Sequence, residues 1–378
     1  MDITTEQALA FRAKRTGLAG EQHGDLVACA TSLLGAQAQI EAHGYNALSL
    51  RTANRPSDSK VRSAQTQDTD LVRTWGQRDT LHLYAKSDWP LFHAASQEWV
   101  RSGRRGGMPP LGLVREAEQF FAAEARPLTR SDLFGLIPQS YIEELRDHPG
   151  ATGKDGARRF AATRLIWTLA NDGWLVFGEK IGRELSYLHR TLVWTGEWPE
   201  YTAEQAHREV VRRYFATFGP ATVQDLAHYL GARVGDARPW VESLKNELVT
   251  CVHPERGETL LLKTDAQAMA TPLEEWPIRL LPAYDTMLMA HKDKRWILPS
   301  IEHEPLVWKR AAVVAATVLV RGQIAGSWTY KKSKGKVDLT VERFPGATFS
   351  EKELEPEISG FAEHLGAEVG RVEFTDVG

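Results

Sequence analysis

The sequence predicts an α+β protein in which tandem winged helix-turn-helix units precede a β-meander that forms a small barrel or sheet. Three observations predict it. The pattern P-x-T-x-x-D-L occurs twice, as Pro127-Leu128-Thr129-Arg130-Ser131-Asp132-Leu133 and as Pro220-Ala221-Thr222-Val223-Gln224-Asp225-Leu226. Each copy leads into an amphipathic segment and then into two β-rich runs, the order of a winged helix. After about Pro272 the pattern changes to three consecutive strands at Ala312 to Val320, Gln323 to Tyr330 and Lys336 to Phe344.

The elements follow in chain order. Thr4 with Gln7 three residues on has capping-box spacing and starts a helix that runs to about Lys14, where Gly17 and Gly20 interrupt it. A second helix runs from near Asp25 to Leu34, with Leu26, Cys29, Ala30 and Leu33 on its apolar face. Gly35 ends it in a left-handed conformation. Leu71 to Trp75 and Thr80 to Tyr84 form a hairpin around Gln77-Arg78-Asp79. The helices and this hairpin make a third, more divergent copy of the repeat. Arg101 to Gly107 is a basic, glycine-rich loop.

In the repeat, Thr129 and Thr222 are expected helix caps, with Asp132 and Asp225 in the favourable first turn. The first copy continues through Arg164 to Asn171 into a wing, Trp174 to Phe177 and Leu185 to Leu188. The second continues through Trp240 to Asn246 into Leu248 to Val252 and Thr259 to Leu262. Between Met287 to Ala290 and Trp296 to Leu298, Lys292-Asp293-Lys294-Arg295 reads as the turn of a hairpin or a charged surface turn. An acidic helix near Ser350 to Leu365 and a strand near Val369 to Phe374 close the chain.

Composition narrows the function classes. The 378 residues are 42% hydrophobic and 25% charged, an ordinary globular balance with room for several compact units. A net charge of -3 means that any nucleic-acid surface is a local basic stripe. The apolar run Ala311 to Val320 is too short to cross a bilayer and fits a buried strand. Cys29 and Cys251 lack zinc-site spacing and read as reduced core residues of a cytosolic chain. No apolar signal run opens the sequence, so a cytoplasmic, nucleoid-associated protein is expected, with a monomer as the default oligomeric state. There is no GxSxG elbow, P-loop or HExxH, and the histidines are scattered, so no metal or cofactor is expected.

The segment that carries chemistry is Gln37-Ala38-Gln39. If the chain is extended there, the two glutamines share one face and Ala38 takes the other. Two convergent amides hold a water; otherwise the segment is a polar loop. Continued alternation adds Glu41 to the same face. Arg73, Arg78, Arg101, Arg104, Arg105, Arg158, Arg159, Lys331, Lys332 and Lys334 are either phosphate contacts or solvated cations. His82 alternates with Leu81 and Leu83 and is expected to point away from the core.

At Gln37-Ala38-Gln39 the chain resembles the AlkZ-type (YcaQ-like) winged-helix DNA glycosylases. Further matching segments are Arg73-Thr74-Trp75 with Arg78 to Leu83, Gly219 to Thr222 with Asp225-Leu226, Leu280 to Asp285 with Lys294-Arg295, and Gly322 to Trp328. The resemblance implies three tandem winged helices, at 1–125, 126–200 and 201–275, and a β-barrel-like domain at 276–378, which together form a concave DNA-binding surface. It implies a monofunctional glycosylase that hydrolyses the N-glycosidic bond of N7-alkylated purines in double-stranded DNA. Unhooking of interstrand crosslinks, and self-resistance to an azinomycin-like alkylating antibiotic, follow from the same resemblance. Gln37 and Gln39 are then the catalytic residues, and Arg73, Arg78, His82, Lys292, Lys294 and Arg295 the DNA contacts. The competing readings are a dimeric winged-helix transcriptional regulator and a protein that sequesters an alkylating drug.

Overall fold

The computed structural model describes residues 1–101 and 107–377; the side chains of Arg101, Arg104 and Arg105 lie outside the described residues. The chain divides into two bodies, one made of residues 1–63 with 207–378 and one of residues 64–206.

In the 64–206 body, Leu71–Trp75 and Leu81–Ala85 pair antiparallel, with Thr74 opposite His82. The tip is tight: Arg78 and Asp79 both have positive φ, and the Gly76 N–H donates to the Thr80 carbonyl at 2.9 Å. A winged-helix-like unit follows. It comprises Leu128–Thr129, a 3-10 turn at Ser131–Gly135, helices Gln139–Glu144 and Gly156–Asn171, and the wing Leu175–Phe177 with Ser186–His189. The first short strand pairs with the second wing strand, Ser186–His189, which becomes the centre of a three-stranded sheet. Phe121, Leu133, Leu165, Leu169 and Phe177 fill its core.

In the other body, Thr4 caps the helix Thr5–Arg15 with the predicted box: the Gln7 N–H donates to Thr4 Oγ1 at 3.1 Å and the Thr4 N–H to Gln7 Oε1 at 2.9 Å. A second winged-helix-like unit is built from Val223–Leu230, Val234–Glu242 and the wing Leu248–His253 with Gly257–Leu262. The helix expected at Trp240 to Asn246 therefore lies earlier, at Val234–Glu242.

The repeated motif is the same turn twice. Asp225 Oδ2 accepts from the Thr222 N–H at 2.9 Å and hydroxyl at 2.7 Å, and Asp132 Oδ2 accepts from the Thr129 N–H and hydroxyl, both at 2.7 Å. Thr222 caps an α-helix, as expected. Thr129 instead ends a short strand ahead of a 3-10 turn.

The barrel expected at the C-terminus does not form. Its strands make an open five-stranded sheet in the order 368–376, 336–343, 323–333, 317–320, 279–281, and the two outer strands do not meet. Both faces are already covered, which removes the drive to close. Leu280, Val318, Trp328 and Leu339 pack under Leu354, Ile358 and Phe361 of the helix Glu351–His364. Leu281, Leu319, Ile324 and Phe344 pack against Leu9, Ala13 and Leu18 from the N-terminus. The crossover helix also sets the last strand parallel to 336–343. The free edges are blunted, one by being three residues long and the other by Arg371, Glu373 and Asp376.

The run Ala311 to Val320 is not one strand. Ala311 and Ala312 take left-handed conformations, Val313–Val314 pairs with Trp308–Lys309, and only Thr317–Val320 enters the sheet. Cys29 and Cys251 are buried free thiols. No helix among the described residues is long and apolar enough to cross a membrane.

Candidate active site

The Gln37 segment is shaped by the helix before it. Asp25 caps Leu26–Ser32 by accepting from the Ala28 N–H at 2.8 Å. The helix ends in a Schellman turn: the Leu34 N–H donates to the Thr31 carbonyl at 3.2 Å and the Gly35 N–H to the Ala30 carbonyl at 2.9 Å. Leu34 and Gly35 both have left-handed φ, 55° and 83°. Gly35 takes this freely, whereas Leu34 costs about 1 kcal/mol. The site holds Leu34 there by burying its side chain completely and by directing the Tyr229 hydroxyl at the Leu33 and Leu34 carbonyls, 3.3 and 3.4 Å away. The Thr217 hydroxyl adds a bond to the Ser32 carbonyl at 2.6 Å.

The chain pairs as a strand only at Ala36–Gln37, bends at Gln39 and Ile40, and enters the helix Glu41–Ser49. The predicted alternation therefore stops early. Gln37 is buried, Ala38 is fully buried and Gln39 is exposed. Glu41 is the first residue of a helix instead of the next residue of a strand, because Ile40 supplies the extended entry to that helix.

The helix after the glutamines is tied down at its far end. Arg51, with no exposed surface, makes a two-pronged bond to the equally buried Asp285, at 2.7 and 2.9 Å, and donates to the Ala47 carbonyl at 2.9 Å. Asp285 also caps Thr286–Met289 through the Met287 N–H. Asp285 ends the segment Leu280 to Asp285 that the sequence marks, whereas Arg51, 234 positions away, carries no local signal. A second buried pair, Arg256 with Asp225, lies beside Arg12, which donates to the Pro220 carbonyl at 2.6 Å and stacks 3.5 Å over Trp296. The Lys292 N–H donates to Asp225 Oδ1 at 2.9 Å, so the basic turn hangs on this network.

The predicted DNA contacts fall at different depths. Within 64–206, Arg73 is buried 4.6 Å over the Phe177 ring, and Arg78 sits part-exposed at the hairpin tip. His82 is buried instead of turned outward, because both faces of its strand are covered. In the other body, no hairpin flanks Lys292 to Arg295; the flanks are the helix Thr286–Met289 and an irregular turn. Lys292 and Arg295 are exposed, and Arg295 pairs with Asp293. Lys294 is turned inward, donating to the Leu288 carbonyl at 2.9 Å and to the His291 carbonyl, 5.0 Å from the Trp308 ring.

Burial keeps several imidazoles neutral. Desolvation, aided by the charge of Arg78, pushes His82 down to about 3; desolvation and Arg190 push His93 down to about 4; desolvation with Arg12 and Arg256 does the same to His253. Unfolded, these rings take up protons near pH 6.5; folded, they resist until about pH 3 to 4. The unfolded state thus binds more protons between those limits, and stability falls as the pH is lowered through that window. Thermal melts at stepped pH are expected to show the decline beginning near pH 6.5. A melting temperature constant down to the carboxylate range would contradict this.

Repeated helix–helix–wing units and the glutamine segment between two helices define a winged-helix protein. The chain belongs to the AlkZ-like DNA glycosylase family, whose description, "DNA glycosylase AlkZ-like", matches residues 30–372. It is 24% identical over 360 residues to the interstrand DNA cross-link repair glycosylase of Streptomyces sahachiroi, covering 91% of this chain and 92% of that one. The solved structure of the Streptomyces sahachiroi DNA glycosylase AlkZ superimposes with a TM-score of 0.77 at 24% identity, covering 100% of each chain.

Proposed function

We propose that this protein is a monofunctional glycosylase that hydrolyses the N-glycosidic bond of N7-alkylated purines in double-stranded DNA and thereby unhooks interstrand crosslinks. The observation that carries the reading is Gln37-Ala38-Gln39, set between a braced helix end and a pinned helix in a chain of this family. N7-alkylation leaves guanine cationic and ready to depart, so the protein needs little acid–base chemistry. A glutamine amide does not titrate near neutrality, but its carbonyl orients a water toward the anomeric carbon and favours positive charge developing on the sugar. Gln37, at the buried end of the segment, positions that water, and Gln39, at the exposed end, meets the DNA-borne sugar. The crosslink activity named for the Streptomyces sahachiroi relative supports extending the reading to crosslinks.

The test uses a duplex with one N7–N7 guanine crosslink and no added metal. The crosslinked band on a denaturing gel is expected to convert to strand-length products carrying an abasic site. A crosslink that survives excess protein while the DNA is bound would contradict the proposal.

Among the predicted contacts, the exposed Lys292 and Arg295 and the part-exposed Arg78 meet phosphates, and the buried Arg73, His82 and Lys294 shape the surface from within. Replacing both Lys292 and Arg295 by alanine is expected to weaken binding to undamaged duplex and to reduce the slope of log affinity against log salt by about 2, near 0.9 per phosphate contact. Lys294→Met is expected to change stability and leave that slope alone. An unchanged slope in the double variant would remove this basic turn from the interface.

A further inference from the structure

The last strand, Glu368–Asp376, is an edge of the five-stranded sheet and has one neighbouring strand among the described residues, 336–343. Two hydrogen bonds show which of its backbone groups face inward. The Arg371 N–H donates to Asp338 Oδ1 at 2.8 Å and the Val377 N–H to the Arg343 carbonyl at 2.9 Å, so residues 371, 373, 375 and 377 turn toward the sheet. Alternation leaves the N–H and carbonyl groups of Val372 and Phe374 facing the open side, a template for another strand. Between this edge and the helix Glu351–His364 runs a groove of about 470 Å³, and Ile358, Val369, Val372 and Phe374 are its apolar residues. Val369 is 39% exposed.

The charges on this edge suit one partner. Arg371 and Glu373 lie on the face away from the groove and pair with each other along the strand. A second copy of the strand, laid antiparallel and centred on Val372, brings Arg371 opposite Glu373 of that copy and Glu373 opposite its Arg371. Each carboxylate then lies between two guanidinium groups, one along its own strand and one across. Unlike charges directly opposite stabilise a strand pair, and like charges destabilise it. A register centred one residue earlier sets Arg371 against Arg371, and one centred a residue later sets Glu373 against Glu373. In the Val372 register, Val372 meets its counterpart, and Phe374 falls opposite Gly370, which has no side chain to compete for the space. The register break at Asp338 ends the regular strand before the like charges Glu368 and Asp376 come together.

We propose that this edge is a homodimer interface, in which two copies pair their last strands antiparallel about a two-fold axis at Val372 and join their sheets into one. A contact of this kind needs a self-complementary patch, and the Arg371 and Glu373 pair supplies it. The charges that blunt the edge against an arbitrary strand select a second copy of this chain. The contact is one strand long, so the dimer is reversible and depends on concentration. This inference does not rest on the glycosylase reading.

The test is sedimentation velocity of the full-length protein from the low micromolar to the submillimolar range. The wild type is expected to pass reversibly from monomer to dimer. Arg371→Glu and Glu373→Arg each set like charges opposite one another at both places, and each is expected to weaken dimerisation by about tenfold or more. The two side chains are 77% and 43% exposed, so neither change disturbs a packed core. An equimolar mixture of the two variants is the decisive arm. One Arg371→Glu copy faces one Glu373→Arg copy with unlike charges at both places, and the mixture is expected to dimerise as the wild type does. A monomer at every concentration overturns the proposal and leaves the edge to another strand. A wild-type dimer that persists unchanged in both variants overturns it too, as does a mixture that stays monomeric.

Discussion

Gln37→Ala is expected to slow single-turnover release of an N7-alkylpurine by about a hundredfold or more while duplex affinity stays within a few-fold of wild type. The size follows from what the residue does: removing one preorganised polar group, or displacing a reactant by about 1 Å, costs on that order. Gln37 suits that role because it is held on both sides. The left-handed turn at Leu34 and Gly35 fixes the backbone before it, and the fully buried Ala38 fixes the backbone after it. Gln39→Ala is expected to lower the rate less steeply, because the exposed position of Gln39 leaves it a looser grip on a reactant. Filter-binding and quenched-flow measurements on the same preparations separate the two effects. Base release unchanged in both variants would remove the glutamines from the chemistry.

The second large effect is on stability. Asp285→Ala strands the Arg51 guanidinium, which has no exposed surface, and removes the cap of Thr286–Met289. Breaking one side of a buried pair costs about 3–5 kcal/mol, because the remaining charge keeps only the Ala47 carbonyl, with no counter-charge and no water. A drop in melting temperature on the order of 10 °C is therefore expected. Arg51→Met with Asp285→Leu is expected to recover most of the loss, since two apolar groups leave no buried charge behind. Urea titration of the three proteins checks this. A loss below about 1 kcal/mol in Asp285→Ala would mean that the pair does not pin the helix following the glutamines.

These variants also show which parts of the molecule local sequence could reveal. The Thr4 box, the Thr222 cap and the wing strands at 248–253 and 257–262 are set by residues a few positions apart, and they form where the patterns placed them. The turn of the meander was narrower than expected: Lys334 and Gly335 alone take positive φ, and the preceding strand runs on to Ser333. Features decided by distant chain were not legible. The sheet stays open because the N-terminal helix region covers the face that a closed barrel would have turned inward. His82 is buried because its strand is covered on both sides, which alternation of Leu81, His82 and Leu83 cannot convey. The glutamine segment was found from its residue types, yet its geometry was misjudged, since the helix at Glu41 interrupts the two-residue period.

The most direct measurement is to mix the purified protein with a duplex carrying one N7-methylguanine and quantify free 7-methylguanine and abasic sites, with the Gln37→Ala/Gln39→Ala protein alongside. Stoichiometric release by the wild type, an intact but abasic strand, and release reduced to background in the double variant are expected. No release by the wild type, together with tight binding to one unmodified DNA sequence, would contradict it and make this chain a winged-helix regulator.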